Sequence, residues 1–120
     1  MKKVFERTQR VGDLIQKELA QMLLTEMSDE RFRLVTITGV TVSRDWAYAK
    51  VYVSVLSDDQ GEINQIVDAL NHAAKSLRYH VAHRVKLRVM PELKFFYDES
   101  IARGFRIASL INKTMKDEEK

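Results

Sequence analysis

Between Asp68 and Glu92 runs a stretch of 23 residues without one carboxylate. It holds five cations, Lys75, Arg78, Arg84, Lys86 and Arg88, and all three histidines of the chain, His72, His80 and His83. Leu77, Val81 and Val85 recur there at helical spacing, which predicts a helix with those three residues inward. Lys75, Ser76, Tyr79 and His83 then fall on the opposite side, with Arg78 on the flank. Lys and Arg can meet phosphates, Ser can hydrogen-bond a backbone oxygen and Tyr can stack on a base. Arg84 falls beside the apolar stripe and is expected to snorkel from the helix end. Beyond the helix, odd-numbered apolar residues predict a strand that turns Lys86 and Arg88 away from the core.

Each cation taken singly is explained by a solvated helix face, since Lys and Arg are mostly exposed. The acid-free window tips the reading toward a polyanion site, because acids gather elsewhere, at Asp58, Asp59 and Glu62 and in the tail Asp117-Glu118-Glu119. His80 and His83 are spaced to share a metal, but no acid or cysteine stands near them in sequence. They read as surface histidines adding partial charge, and no metal or cofactor is expected. Catalysis finds no support: there is no Gly-rich phosphate loop, no G-x-S-x-G and no H-E-x-x-H, and the four glycines are scattered. Asp58 and Asp59 sit where a helix start explains them.

The elements that must hold this face are legible in the hydrophobic pattern. From Thr8 to Met27, Val11, Leu14, Ile15, Leu19, Met22 and Leu23 predict one amphipathic helix. Leu34–Ser43 alternates as a strand whose parity switches at Gly39, predicting a bulge. Arg44-Asp45-Trp46 then connects to a second strand, Ala47–Leu56, with Ala47, Ala49, Val51, Val53 and Val55 inward, so the two form an antiparallel hairpin. Tyr48, Lys50 and Tyr52 alternate outward, interleaving aromatics with a cation. Asp59 and Glu62 have capping-box spacing ahead of a helix carrying Ile63, Ile66, Val67 and Leu70. The break near Ala73-Ala74-Lys75-Ser76 predicts a kink between two helices. Leu87, Val89, Leu93, Phe95 and Tyr97 predict a third strand, bulged or at an edge because Pro91 lacks a donor. Asp98 or Ser100 is placed to cap a last helix with Ile101, Phe105, Ala108 and Ile111 inward.

The order α-β-β-α-α-β fits an α+β, type II KH-like fold: a three-stranded sheet with helices on one face. A KH domain that reads single strands usually clamps them with a GXXG loop, and this chain has none; a kinked helix pair stands in its place. Residues 1–113 are expected to form a single RNA-binding domain and 114–120 a charged, disordered tail.

Composition agrees with a non-secreted globule. The chain of 120 residues is 45% hydrophobic, the size of one domain with a real core. Its 20 Lys+Arg against 17 Asp+Glu give a net charge of +3 and a pI near 9.2. No apolar run approaches a membrane span, no signal-type apolar stretch follows MKKVFERTQR, and there is no cysteine. A cytoplasmic location is expected.

Three segments carry a resemblance to a family: RVGDLIQKEL (Arg10–Leu19), VTITGVTVSRDWAYAKVYVS (Val35–Ser54) and, most specifically, LRVMPELKFFYDES (Leu87–Ser100). They resemble ribosome-binding factor A over about residues 5 to 112. The resemblance implies a monomeric KH-like protein, without enzymatic activity or cofactor, that associates with free 30S small ribosomal subunits. It further implies a role in late maturation of 16S rRNA, including its 5′ end, support of growth in the cold, and work alongside assembly GTPases, one of which promotes its release. The basic face around the kinked helices is implied to meet rRNA: Lys75, Ser76, Arg78, Tyr79, His83, Arg84, Lys86 and Arg88, with Lys2, Lys3, Arg7, Arg10 and Lys50 as further contacts. The chain departs from the family where Lys75 fills the glycine slot of an Ala-x-Gly kink, where Ala82 replaces a later glycine, and where Asp29-Glu30-Arg31 stands for Asp-Pro-Arg. A reading of another class, an adaptor whose basic helix docks an acidic protein, is separable by nuclease treatment.

Overall fold

The computed structural model describes residues 2–100, with side chains from residue 6. The expected last helix beyond Ser100 and the 114–120 tail lie outside the described residues. The elements follow as α1 (Lys2–Thr25), a 3-10 turn (Glu30–Leu34), β1 (Val35–Val42), β2 (Tyr48–Val55), α2 (Gln60–His72), α3 (Ala74–Val85) and β3 (Glu92–Tyr97). The sheet order is β1-β2-β3, with β1 antiparallel and β3 parallel to β2. This is the α+β, KH-like architecture that the element order predicts.

One buried cluster joins the layers. Ala49, Val51, Val53 and Val55 of β2 and Leu93 and Phe95 of β3 face Ile15, Leu19 and Met22 of α1, Ile63, Ile66 and Leu70 of α2, and Leu77 and Val81 of α3. The three long helices among the described residues therefore lie on one side of the sheet. Of the residues expected inward on α1 and β2, two do not join. Leu14 is 48% exposed, because the buried stripe of α1 runs through Gly12, Ile15 and Leu19 instead. Ala47 is exposed, as it precedes the first residue of β2. No helix among the described residues is long and apolar enough to cross a membrane.

The α1–β1 contact turns on a missing side chain. A Cβ on Gly12 would stand 2.8 Å from the Val40 carbonyl oxygen, so only glycine lets the helix approach this closely. Gly12→Ala should destabilise the fold by about 1–3 kcal/mol, since backbone must move. Urea unfolding would show this as a lower midpoint at unchanged slope.

The expected bulge falls between Ile37 and Gly39. Thr38, left without a cross-strand partner, puts its hydroxyl 2.7 Å from Asp98 Oδ2 and 3.2 Å from the Tyr52 carbonyl, and Gln16 Nε2 donates to the Ile37 carbonyl. The hydroxyls of Ser100 and then Thr38 hold the Asp98 carboxyl below its usual pKa. Residues 28–34, where helical periodicity fails, are ordered by Asp29, which accepts from the Arg31 N–H and guanidinium while Phe32 is buried.

Asp59 caps α2 as expected, accepting from the Gly61 N–H at 2.9 Å. The second arm of the box differs. Ser57 Oγ accepts from the Asp59 N–H and donates to Glu62, so a hydroxyl relays a bond that the spacing assigns to the two acids directly.

The helix kink sits at Ala73, with φ −84 and ψ −2. That conformation is open to any residue. Lys75 is already inside α3 at negative φ, which explains how a lysine can fill the family's glycine slot.

The third strand is shorter than parity suggests. The ladder with β2 begins when the Glu92 N–H donates to the Ala47 carbonyl, immediately after Pro91, which has no donor of its own. Leu87 and Val89 precede it, and Val89 is 61% exposed. Lys86 is thus on no strand. It ends α3 in the left-handed region at φ 51, its N–H donating to the Ala82 carbonyl. Arg88 lies in the loop that follows.

Candidate nucleic-acid interface

Two side chains fix α2 and α3 against the outer edge of β3. Asn71, in the last turn of α2, donates its amide to the Phe95 carbonyl and accepts from the Phe95 N–H, at 3.0 and 2.8 Å. It occupies both backbone groups that an adjoining strand would take. One turn and a kink later, Arg78 Nη2 donates to the Met90 carbonyl at 2.7 Å, and Nε reaches the Met90 and Pro91 carbonyls at 3.2 Å. The guanidinium straps the loop before β3 onto α3.

Between α3 and that loop opens a groove of about 670 Å³. Ala74, Ala82, Leu87, Met90 and Leu93 form its apolar part, and Lys75, Arg78, Tyr79, His83, Arg88, Asn71 and Glu92 supply its polar groups. Small alanines keep it open. Lys75 and Arg88 are exposed cations at its margin. Tyr79 is 62% exposed, its ring 4.3 Å from that of His83 and 5.5 Å from that of His80. His83 Nδ1 is 2.9 Å from the Tyr79 carbonyl, which ties the imidazole back to its own helix. The groove can therefore seat phosphates on Lys75, Arg78 and Arg88 and lay a base on Tyr79. Glu92, an acid at the margin, can accept from a base amino group and turns phosphates away.

The sequence-predicted residues separate into groups. Lys75, Arg78, Tyr79, His83 and Arg88 converge on the groove. Ser76 and Lys86 are exposed but do not line it. Arg84 is exposed but does not line the groove: it forms surface ion pairs with Glu18 and Glu26 of α1, which compete for its charge. The reason is α1, whose acids lie across from the end of α3 and are remote in sequence. Arg7 and Arg10 are exposed on α1 away from the groove lining, and the side chains of Lys2 and Lys3 lie outside those described. Lys50 is on the open face of the sheet, in register with Lys94.

Sequence reasoning misses three features. Asn71 has no signal beyond its polarity at a helix end. The strap role of Arg78 is hidden because its acceptors are backbone carbonyls. Glu92 reads in the sequence only as the boundary of the acid-free window.

Comparison with known proteins gives this geometry its relatives. The family model for ribosome-binding factor A matches residues 7–111. Ribosome-binding factor A of Pseudomonas aeruginosa (strain UCBPP-PA14) is 48% identical over 119 residues, covering 98% of this chain and 92% of its own. The crystal structure of the Thermus thermophilus ribosome-binding factor A superposes with a TM-score of 0.63 at 27% identity, covering 75% of this chain and 94% of its own. A homology model of the Thermus thermophilus factor, fitted into a cryo-EM map of a complex with the 30S subunit, gives 0.62 at 26% identity, covering 77% and 96%. By its family model, its near-full-length identity and its fold, the chain belongs to the ribosome-binding factor A family.

Proposed function

We infer that this chain is a cytoplasmic, non-catalytic assembly factor that binds free 30S subunits through rRNA. In this reading it assists late maturation of 16S rRNA, supports growth in the cold, and shares the subunit with assembly GTPases. The observation that carries the reading is the convergence of Lys75, Arg78 and Arg88 with Tyr79 on one groove, where Glu92 is the one carboxylate among the described lining residues. The family's match over residues 7–111 and the 30S complex of the Thermus relative support it. Groove cations hold phosphates and an aromatic holds a base, which is positioning chemistry and asks for no bond to be made or broken.

Sedimentation of the tagged protein from lysate tests the assignment: comigration with free 30S subunits and absence from intact ribosomes is expected. Nuclease treatment should abolish the association, whereas an acidic protein partner would survive it. Binding to purified subunits should also weaken with salt. With about three to four phosphates met, log K should fall against log salt with a slope of roughly −2 to −4. A flat response would mean that the groove does not meet phosphate.

A further inference from the structure

The sheet face turned away from the helices carries its own ordered chemistry. From β2 it presents Tyr48, Lys50 and Tyr52, and from β3, in register beside them, Glu92, Lys94 and Phe96. Tyr48 and Phe96 are each 41% exposed. The Tyr52 and Phe96 rings form one unit, centroids 6.0 Å apart and tilted by 35°. Tyr48 stands alone at the other end, four residues or about 13 Å along β2, with Lys94 Nζ 4.3 Å from its ring centroid.

Neither feature is explained by folding alone. Lys50 and Lys94 stand side by side across β2 and β3, an arrangement of like charges that costs stability and that an anion would offset. Three aromatics on a face that no helix among the described residues covers leave apolar rings to water, Tyr48 and Phe96 most of all. Aromatic rings on neighbouring strands, interleaved with cations, are what stacked bases and their phosphates require. The face also joins the groove. Glu92 lines the groove and is the register neighbour of Tyr48, so a chain leaving the groove over β3 arrives at Tyr48.

We propose that this open sheet face is a second RNA-contact surface, taking single-stranded nucleotides by stacking on Tyr48 and on the Tyr52–Phe96 pair with phosphates on Lys50 and Lys94. The proposal rests on the reading of the chain as an RNA binder, and places the RNA on both sides of β3. It also gives the chain a single-strand platform despite its lack of a GXXG loop.

The test titrates the full chain with a labelled single-stranded RNA oligonucleotide and with its duplex, by fluorescence anisotropy. Tyr48→Leu combined with Phe96→Leu should weaken single-strand binding about fivefold to hundredfold, leaving duplex binding and the salt slope unchanged, because stacking and not charge is removed. Lys50→Gln combined with Lys94→Gln should instead lower the salt slope by about 1 to 2. Wild-type single-strand affinity in the leucine variant, beside a weakened Lys75→Glu, Arg88→Glu variant, overturns the proposal and leaves the groove reading intact. Full binding in both variants refutes the groove reading as well. Should the leucine variant fail to fold, amine labelling of the wild-type chain decides: Lys50 and Lys94 should react in the free protein and be protected by the RNA. Protection already present in the free chain, or conferred only by an acidic polypeptide, refutes the RNA surface.

Discussion

Replacing Lys75 and Arg88 together by glutamate should weaken association with isolated 30S subunits about a hundredfold. Both are exposed cations at the groove margin, and each reversal turns an attraction to phosphate into repulsion. At about 1.5 kcal/mol per position the two sum to about 3 kcal/mol, which is two decades in Kd. Stability should change little, since exposed substitutions usually cost under about 0.5 kcal/mol. The matched control is Lys17→Glu with Arg33→Glu, the same change in net charge at exposed positions outside the groove lining. Equal loss in both variants would show that net charge alone governs binding; no loss in either would move the interface to another face. Subunit binding followed by filtration or sedimentation at fixed salt gives the comparison.

Arg78 cannot join that variant, because its loss should act first on the fold. Its guanidinium holds the Met90 and Pro91 carbonyls, and charge-assisted bonds of this kind are worth about 1.5–3 kcal/mol. Arg78→Ala should therefore lower stability by about 2 kcal/mol and Tm by roughly 10 °C. Arg78→Lys separates the two roles. It keeps the charge and loses the planar fork, so its Tm should fall while its salt slope stays near that of the native protein. A native Tm in Arg78→Ala would mean that the strap does not hold the loop. On the sequence alone Arg78 is interchangeable with Lys75 and Arg88; in the structure it belongs to a different class.

That contrast marks what a sequence can show. Periodicity locates the three long helices among the described residues, the hairpin, the bulge at Gly39 and the kink at Ala73, because each is written in burial or in backbone freedom within a few residues. Parity misplaces the boundary of β3, because Leu87 and Val89 share the parity of Leu93 and Phe95 without sharing their burial. Where a strand begins depends on its ladder partner, and that partner, Ala47, is 45 residues away from Glu92. Site residues follow the same rule. The acid-free window draws attention to α3 and its exit, where Lys75, Arg78, Tyr79, His83 and Arg88 line one groove. It cannot show that Arg84 pairs with acids of α1, nor that Arg78 commits Nε and Nη2 to backbone carbonyls while its charge stays at the groove, since both facts depend on distant chain segments. The even-numbered partners Lys94 and Phe96 are open to the same alternation argument that turns Tyr48, Lys50 and Tyr52 outward.

The amide of Asn71 has a consequence for how this protein behaves in company. Among the described residues β3 is the outer strand of its sheet, and a bare sheet edge is a template on which another chain can add a strand and seed aggregation. Phe95 lies near the middle of that six-residue edge, and its N–H and carbonyl are already taken by Asn71. An incoming strand would find the ladder interrupted at its centre and α2 in its path. A side chain thus stands where a further strand would otherwise be invited, and the edge beside the groove is left to ligands that do not need a continuous run of backbone hydrogen bonds.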